Sequence, residues 1–261
     1  MKKLAAIFAL CLLTTASFAA ALVQSNLGGS ASATITSGGT LTTTAVGYAS
    51  NTHTGSLLVV IVWSRSNGLG EIEGTQVPTI STPGFSWSAG SLTYSAFLDL
   101  ATDTKYGIQT IFYITDAAAM STSTLTTVSA AVPGTDSCTC TLQFAMYEFS
   151  GVSAYIAHNI SQNETGTASS PGGVGTSCSP ACLMLVNFVG YPVSALTAGS
   201  GWTLGVNATV PTIGQTVYNL SATTASSGFF SGTSALWADT AIWFSLSTSA
   251  SAVPRHRGSI F

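Results

Sequence analysis

Carboxylate side chains are scarce in this sequence, and one pair of them has a spacing that suits acid–base chemistry. The chain has nine Asp and Glu residues, and Glu71 and Glu73 are separated by a single residue. In an extended segment this spacing places both carboxylates on the same face. Because paired carboxylates are the requirement for glycoside hydrolysis, a secreted glycoside hydrolase is one candidate function, with Glu148 as a more distant third carboxylate. The alternative is that Glu71 and Glu73 lie in a solvated loop.

A second set of candidate residues lies near the C-terminus, where tryptophans alternate with a carboxylate. Trp237, Asp239 and Trp243 fall on one face of a strand predicted over residues 236–246, opposite Ile242 and Phe244. A pocket of planar aromatic side chains with a few polar groups suits a sugar. These three residues are therefore the predicted ligand-binding residues of a carbohydrate-binding module. The alternative, which we favour because exposed tryptophan is uncommon, is that this face is covered within the protein.

The sequence lacks the motifs of metal sites and of activated nucleophiles. His53, His158 and His256 have no spacing that suits a shared metal ion. No Gly-x-Ser-x-Gly sequence occurs, so the nucleophile elbow of a hydrolase is absent. We therefore expect no metal and no cofactor, and we favour a protein without catalytic activity.

The N-terminus has the three-part pattern of a secretory signal peptide. Lys2 and Lys3 precede an apolar run over residues 4–13, and small-x-small cleavage sites end at Ala19 and Ala21. We predict a signal peptide over residues 1–21 and a secreted protein that is extracellular or bound to the cell surface. The apolar run is well short of the roughly 20 residues that a spanning helix needs, so no membrane span is predicted.

Four cysteines remain after this leader, at Cys138, Cys140, Cys178 and Cys182. An even number of cysteines in an exported chain predicts disulfide bonds. Cys138 and Cys140 lie on the same side of one predicted strand, so a bond between them is geometrically poor. We therefore expect the first pair to be cross-linked to the second pair, and the alternative is a Cys178–Cys182 bond with two free thiols. The oxidising compartment disfavours a four-thiolate zinc site.

The composition excludes several classes of protein. Only 6% of the residues are charged, against about 25% in an ordinary soluble domain, while the chain has 38 Thr, 37 Ser and 26 Gly. Six Lys and Arg residues are too few to hold nucleic acid through its phosphates. The 46% of hydrophobic residues excludes a disordered chain. A Thr-, Ser- and aromatic-rich β protein remains.

Short apolar runs separated by Gly, Ser, Thr and Pro predict many strands, as in an all-β antiparallel β-sandwich of the jelly-roll type. Residues 22–261 are predicted to form a single domain. Residues 138–149 alternate as a half-buried strand does, whereas residues 57–63 are apolar on both faces. The latter pattern predicts a central strand covered on both sides by a loop, a terminal segment or a neighbouring subunit. The longest predicted loop spans residues 161–177.

Several short motifs resemble those of uncharacterised bacterial exported β-sandwich modules. The sequence Tyr-Glu-Phe-Ser-Gly-Val at residues 147–152 resembles their E-Y/F-S-G-V signature, and Gly-Trp-Thr at residues 201–203 is a second shared motif. The resemblance implies a jelly-roll-like sandwich and no activity. In such a fold Glu148 is expected to end a core strand and to bond the following turn at Ser150 and Gly151.

Low charge, abundant hydroxyl side chains, disulfides and doubly apolar strands together favour a non-catalytic extracellular module. Such a module would build or decorate a surface as a matrix, filament or adhesion component, and apolar faces left over after folding would form its interfaces. The predicted partners are other copies of the chain or a cell-surface polysaccharide, and not nucleic acid. A carbohydrate-binding module and a glycoside hydrolase remain the two alternatives.

Overall fold

The computed structural model of the chain describes residues 19–36, 38–67, 78–98, 104–131, 138–163, 177–193, 197–206, 214–224, 230–231 and 234–247. All regular structure within these ranges is β, as predicted. The described residues include no helix that is long and apolar enough to cross a membrane. The strands are β1 Ala21–Ile35, β2 Thr40–Thr42, β3 Ser56–Asn67, β4 Thr79–Ser81, β5 Ser88–Leu98, β6 Thr104–Ala117, β7 Thr127–Ala131, β8 Cys138–Ser150, β9 Val152–Asn163, β10 Ser177–Val193, β11 Thr197–Ala198, β12 Thr203–Leu204, β13 Gly214–Thr224, β14 Phe230–Ser231 and β15 Ser234–Leu246.

The strands form two large sheets and two small ones. Sheet I has the order β1-β8-β3-β6-β5 and sheet II the order β12-β13-β10-β15-β9. Sheet III is β2-β7-β4 and sheet IV is β11-β14. Every described strand pair is antiparallel. Sheets I and II pack face to face, which makes the molecule a β-sandwich.

Strand β3 lies at the centre of sheet I and is buried on both faces. Leu57, Val59, Ile61 and Trp63 point into the core between sheets I and II, because successive side chains of a strand point to opposite faces. The intervening residues Leu58, Val60 and Val62 pack in a second core with Leu41, Val128 and Ala130 of sheet III. The prediction of a strand covered on both sides is confirmed, and the cover comes from the same chain.

Strand β8 agrees only in part with the prediction of a half-buried strand over residues 138–149. Leu142, Phe144 and Met146 lie in the core toward sheet III, while Tyr147 and Phe149 lie in the core between sheets I and II. From Gln143 to Phe149 the strand is therefore buried on both faces, because its second face contacts the neighbouring sheet, while Thr139 is exposed and Thr141 is half-buried.

The outer face of sheet II is covered as well. Met184, Val186 and Phe188 of β10 and Trp243 of β15 form a third buried cluster, against which Trp202 packs. The structure therefore has three apolar cores: one between sheets I and III, one between sheets I and II, and one on the outer face of sheet II. A simple two-layer sandwich has one.

A buried polar network joins the two large sheets. Trp63 Nε1 donates a hydrogen bond of 2.8 Å to Asn187 Oδ1, and Asn187 Nδ2 donates one of 2.6 Å to Gln109 Oε1. Thr216 Oγ1 donates to the same Asn187 oxygen at 3.2 Å. Each polar group is thus satisfied, as burial requires. Gly214 packs on the indole, where a Cβ would lie 2.4 Å from Cδ1 of Trp63.

Two strands lie where the sequence predicts little structure. Strand β9 begins at Val152 and continues into residues 161–163, the start of the predicted loop. Strand β1 begins at Ala21, and Ala20 is buried at 5% exposure in the core between sheets I and II. The described structure therefore includes three residues, Ala19 to Ala21, of the segment assigned to the leader.

Candidate functional site

The buried carboxylate of Glu148 is the centre of the most elaborate polar cluster in the described chain. Glu148 is fully buried near the end of β8. Its Oε1 accepts hydrogen bonds from the His53 backbone N–H at 2.7 Å, the Ser56 hydroxyl at 2.8 Å and His53 Nδ1 at 3.0 Å. Its Oε2 accepts one from Gln24 Nε2 at 2.6 Å. Both carboxylate oxygens are therefore engaged.

These contacts determine the charge of the group. Burial alone would raise the pKa of Glu148, but the hydrogen bonds from Gln24, His53 and Ser56 outweigh it and lower the pKa below its ordinary value. Glu148 is therefore an ionised acceptor at neutral pH. A carboxylate in this state cannot donate a proton as the general acid of a glycoside hydrolase does.

The cluster ties a connecting segment to two strands of sheet I. The Ser50 backbone N–H and hydroxyl each donate to Gln24 Oε1 at 3.0 Å, and Gln24 Nε2 donates to Ser50 O at 3.1 Å. The buried Tyr48 hydroxyl donates to Tyr147 O at 3.2 Å. The His53 side chain is 70% exposed at the rim. Glu148 thus bonds Gln24, His53 and Ser56, and not the turn at residues 150–151 that the resemblance implies.

The turn that follows Glu148 depends on glycine. Gly151 connects β8 and β9 with a φ of 70°, a conformation that side chains with a Cβ rarely adopt. A Cβ there would also lie 2.8 Å from Ala19 O. Glu148 and Gly151 of the E-F-S-G-V sequence therefore have structural roles.

Two of the three predicted ligand-binding residues, Asp239 and Trp243, are buried. Asp239 is fully buried and Trp243 is 5% exposed, so neither is the exposed side chain on which a sugar would stack, although Trp243 lines the groove described below. The Trp237 side chain lies outside the described residues. The alternative of a covered face is confirmed for Asp239 and Trp243, because the apolar cluster on sheet II surrounds them.

Asp239 has an unusual environment. Neither carboxylate oxygen has a hydrogen-bond partner among the described residues, and its strand neighbours include Phe188 and Ala241 of the buried cluster. Burial raises the pKa of Asp239 well above its ordinary value. Burial therefore favours the neutral, protonated form of the side chain.

The cysteines are paired differently from the expectation. Cys178 and Cys182 form a disulfide with a Cα–Cα distance of 5.9 Å, and Cys140 is also disulfide-bonded. The predicted cross-link between the two cysteine pairs is wrong, and the alternative of two free thiols fails for Cys140. The reason is the layering: Cys140 lies on the sheet III side of sheet I, whereas Cys178 and Cys182 lie on the outer face of sheet II. The Cys138 side chain lies outside the described residues.

The Cys178–Cys182 loop forms one wall of an open groove of about 300 Å³. Ile156 of β9, Pro180, Trp243 and Leu246 also line it. The lining is mostly apolar, and the groove runs beside the edge of sheet II. It contains no carboxylate.

The remaining candidates for catalysis or metal binding are not brought together. Glu71, Glu73 and His256 lie outside the described residues. His158 accepts or donates a hydrogen bond of 2.7 Å with the Tyr155 hydroxyl. Within the described chain no three His, Cys, Asp or Glu residues approach closely enough to hold a metal ion.

Comparison of the chain with protein-family models, with characterised proteins and with solved structures gives no significant match.

The sequence interpretation missed the partners of Glu148. Gln24, His53 and Ser56 are separated from it by 92 to 124 positions, so no local motif links them. One signal was present: Glu148 continues the alternation of Leu142, Phe144 and Met146 on the same face of β8. A carboxylate at a core position requires donors from elsewhere in the chain.

Proposed function

We propose that the protein is a non-catalytic structural module of the extracellular surface that associates with copies of itself. The supporting observation is the placement of charge. Only 6% of the residues are charged, and two of the carboxylates that the structure describes, Glu148 and Asp239, are buried. A surface with so little charge gives up the repulsion that keeps soluble proteins apart.

Hydroxyl pairs occupy exposed strand positions where charged pairs are common in other proteins. Ser32 and Thr141 lie 3.2 Å apart across β1 and β8, and Thr34 and Thr139 lie 3.3 Å apart, oxygen to oxygen. Thr42 and Ser129 form a similar pair of 2.8 Å in sheet III. Such pairs stabilise neighbouring strands and leave a polar, neutral surface. That surface suits a module packed against others outside the cell.

The states of the two buried acids also favour a structural role. Glu148 uses both oxygens to hold strand β1 and the segment before β3. Asp239 is enclosed in an apolar cluster. The bonds of Glu148 stabilise the fold, and neither residue presents a carboxylate to a substrate.

The test is the association state of the purified chain without its leader. Sedimentation velocity over a wide range of concentration, together with negative-stain microscopy, is expected to show reversible association into dimers or larger ordered assemblies. Added salt is expected to have little effect, because few charges are present to be screened. A species that stays monomeric at every concentration and binds a glycan array would overturn the proposal in favour of a carbohydrate-binding module.

A further inference from the structure

We propose that strand β9 is the edge through which two copies associate, by antiparallel pairing of β9 with β9 across a twofold axis at Ile160. This inference rests on the proposed self-association and names its surface. Pairing would join the two copies of sheet II into one continuous sheet.

Strand β9 is a long edge with no protection in its sequence. It is the last strand of sheet II and pairs, among the described strands, with β15 alone. Its twelve residues extend over roughly 40 Å at about 3.3 Å per residue. Natural sheets usually protect such edges with charge, proline or short strands, but residues 152–163 contain no Asp, Glu, Lys, Arg or Pro.

Two of the other described edges, β12 and β1, differ in ways that protect them, whereas β5 of sheet I is also long and uncharged. Strand β12 is only two residues long. Strand β1 has two register shifts, and its Gln24 and Asn26 side chains bond the segment at Gly47 and Ser50. In β9 the register shifts are confined to the first residues, and pairing with β15 is regular over residues 157–163.

Apolar side chains flank this edge on both faces. Ile156 is 47% exposed and lines the groove beside Trp243 on the outer face. Ile160 is 38% exposed and lies opposite Thr240, on the side of sheet II that faces sheet I. A second strand added to β9 would cover both isoleucines. Strands that add to the edge of a sheet gain affinity from main-chain hydrogen bonds and from contacts of the flanking side chains.

A second copy fits this edge better than a foreign strand does. Ile160 is the midpoint of the regular segment, so a twofold axis there places residues 157–163 opposite the same residues of the partner copy. Such an isologous contact satisfies two identical edges at once. The segment is uncharged, so no like charges face each other across the axis.

The test compares Ile160→Lys with a matched control, Leu125→Lys, since Leu125 is 44% exposed on a loop before β7. Ile160→Lys places two lysines opposite each other and is expected to weaken association by about tenfold or more, because like charges directly opposite destabilise strand pairing. Leu125→Lys is expected to associate as the wild-type chain does. Thermal melts of both variants confirm that they are folded.

A second variant keeps the proposal testable if Ile160→Lys does not fold. Ile160→Cys is expected to form a disulfide-linked dimer under mild oxidation, because directly opposed residues of antiparallel strands lie within disulfide range. Leu125→Cys is the control and is expected not to do so. Association of folded Ile160→Lys equal to wild type, or no cross-link through Cys at 160, would overturn the assignment of β9 but leave self-association standing. A wild-type chain that never associates would overturn both.

Measuring the association of a truncated chain also tests whether the C-terminal segment occupies this edge. If removal of residues 248–261 abolishes association and Ile160→Lys does not, the C-terminal segment and not β9 carries the contact.

Discussion

The buried acid at Asp239 gives a prediction whose size and sign follow from its surroundings. Asp239 has no exposed surface and no hydrogen-bond partner for either oxygen among the described residues. Burial raises its pKa well above the ordinary value. We expect Asp239→Asn to stabilise the protein at neutral pH, because the amide cannot ionise in the unfolded chain.

The pH dependence follows from proton linkage. Below the unfolded pKa of about 3.9, Asp239 is protonated in both the folded and unfolded states, so its ionisation does not affect stability. Above that pH the unfolded chain releases the proton and the folded protein keeps it. The free energy of unfolding of the wild type then falls, by up to about 1.4 kcal/mol per pH unit, until the pH passes the folded pKa. The free energy of unfolding of Asp239→Asn does not fall in this way. The variant therefore becomes more stable relative to the wild type as the pH rises from the unfolded pKa to the folded pKa of Asp239.

The assay is chemical denaturation of the wild type and Asp239→Asn at a series of pH values from acid to neutral. The other titrating groups are common to both proteins and cancel in the difference. Asp116→Asn is the matched control, because Asp116 is an exposed carboxylate, and it is expected to change stability little. Parallel pH profiles for wild type and Asp239→Asn, or a less stable variant at neutral pH, would refute the account of Asp239 as a neutral, unpartnered acid.

Three further predictions concern the cluster around Glu148 and the start of the fold. Glu148→Gln is expected to lower the free energy of unfolding by about 1–3 kcal/mol at neutral pH, since it leaves buried donors without their charged acceptor. Because the folded pKa of Glu148 is lowered, this difference should shrink as the pH falls through that pKa. Chemical denaturation at acid and neutral pH measures the difference. Gly151→Ala is expected to lower the melting temperature, because a left-handed φ costs about 1–2 kcal/mol for a residue with a Cβ and the added carbon meets Ala19 O; a melt unchanged from wild type would count against the described turn. For the proposed secreted protein, cleavage of the leader is expected after Ala19, because Ala20 is buried in the core. N-terminal sequencing that begins at Leu22 would contradict this.

The general architecture could be predicted from local pattern. Residues 57–63 are apolar at every position, whereas a strand with one solvated face alternates apolar and polar residues. The sequence therefore predicted that both faces of this strand are covered. The same reasoning anticipated that Trp243 would be buried. What covers these faces could not be predicted, because sheet III is assembled from three short strands far apart in the chain.

The failures have a common cause in tertiary position. The cysteine pairing depends on the sheet face that each residue occupies. Cys140 lies on the face of sheet I toward sheet III and Cys182 lies on the outer face of sheet II, which their spacing in the sequence does not reveal. Strand β9 was missed because an edge strand has little burial to impose alternation, and its exposed Ile156 and Ile160 are interleaved with polar residues. The donors to Glu148 come from distant segments, so only the need for them was visible.

The most direct test of the proposed self-association is the mass of the purified, leader-free chain measured by sedimentation equilibrium over a wide concentration range. The account predicts a mass that rises reversibly with concentration beyond that of one chain, and a rise that Ile160→Lys suppresses while Leu125→Lys does not. A mass equal to one chain at every concentration would contradict it.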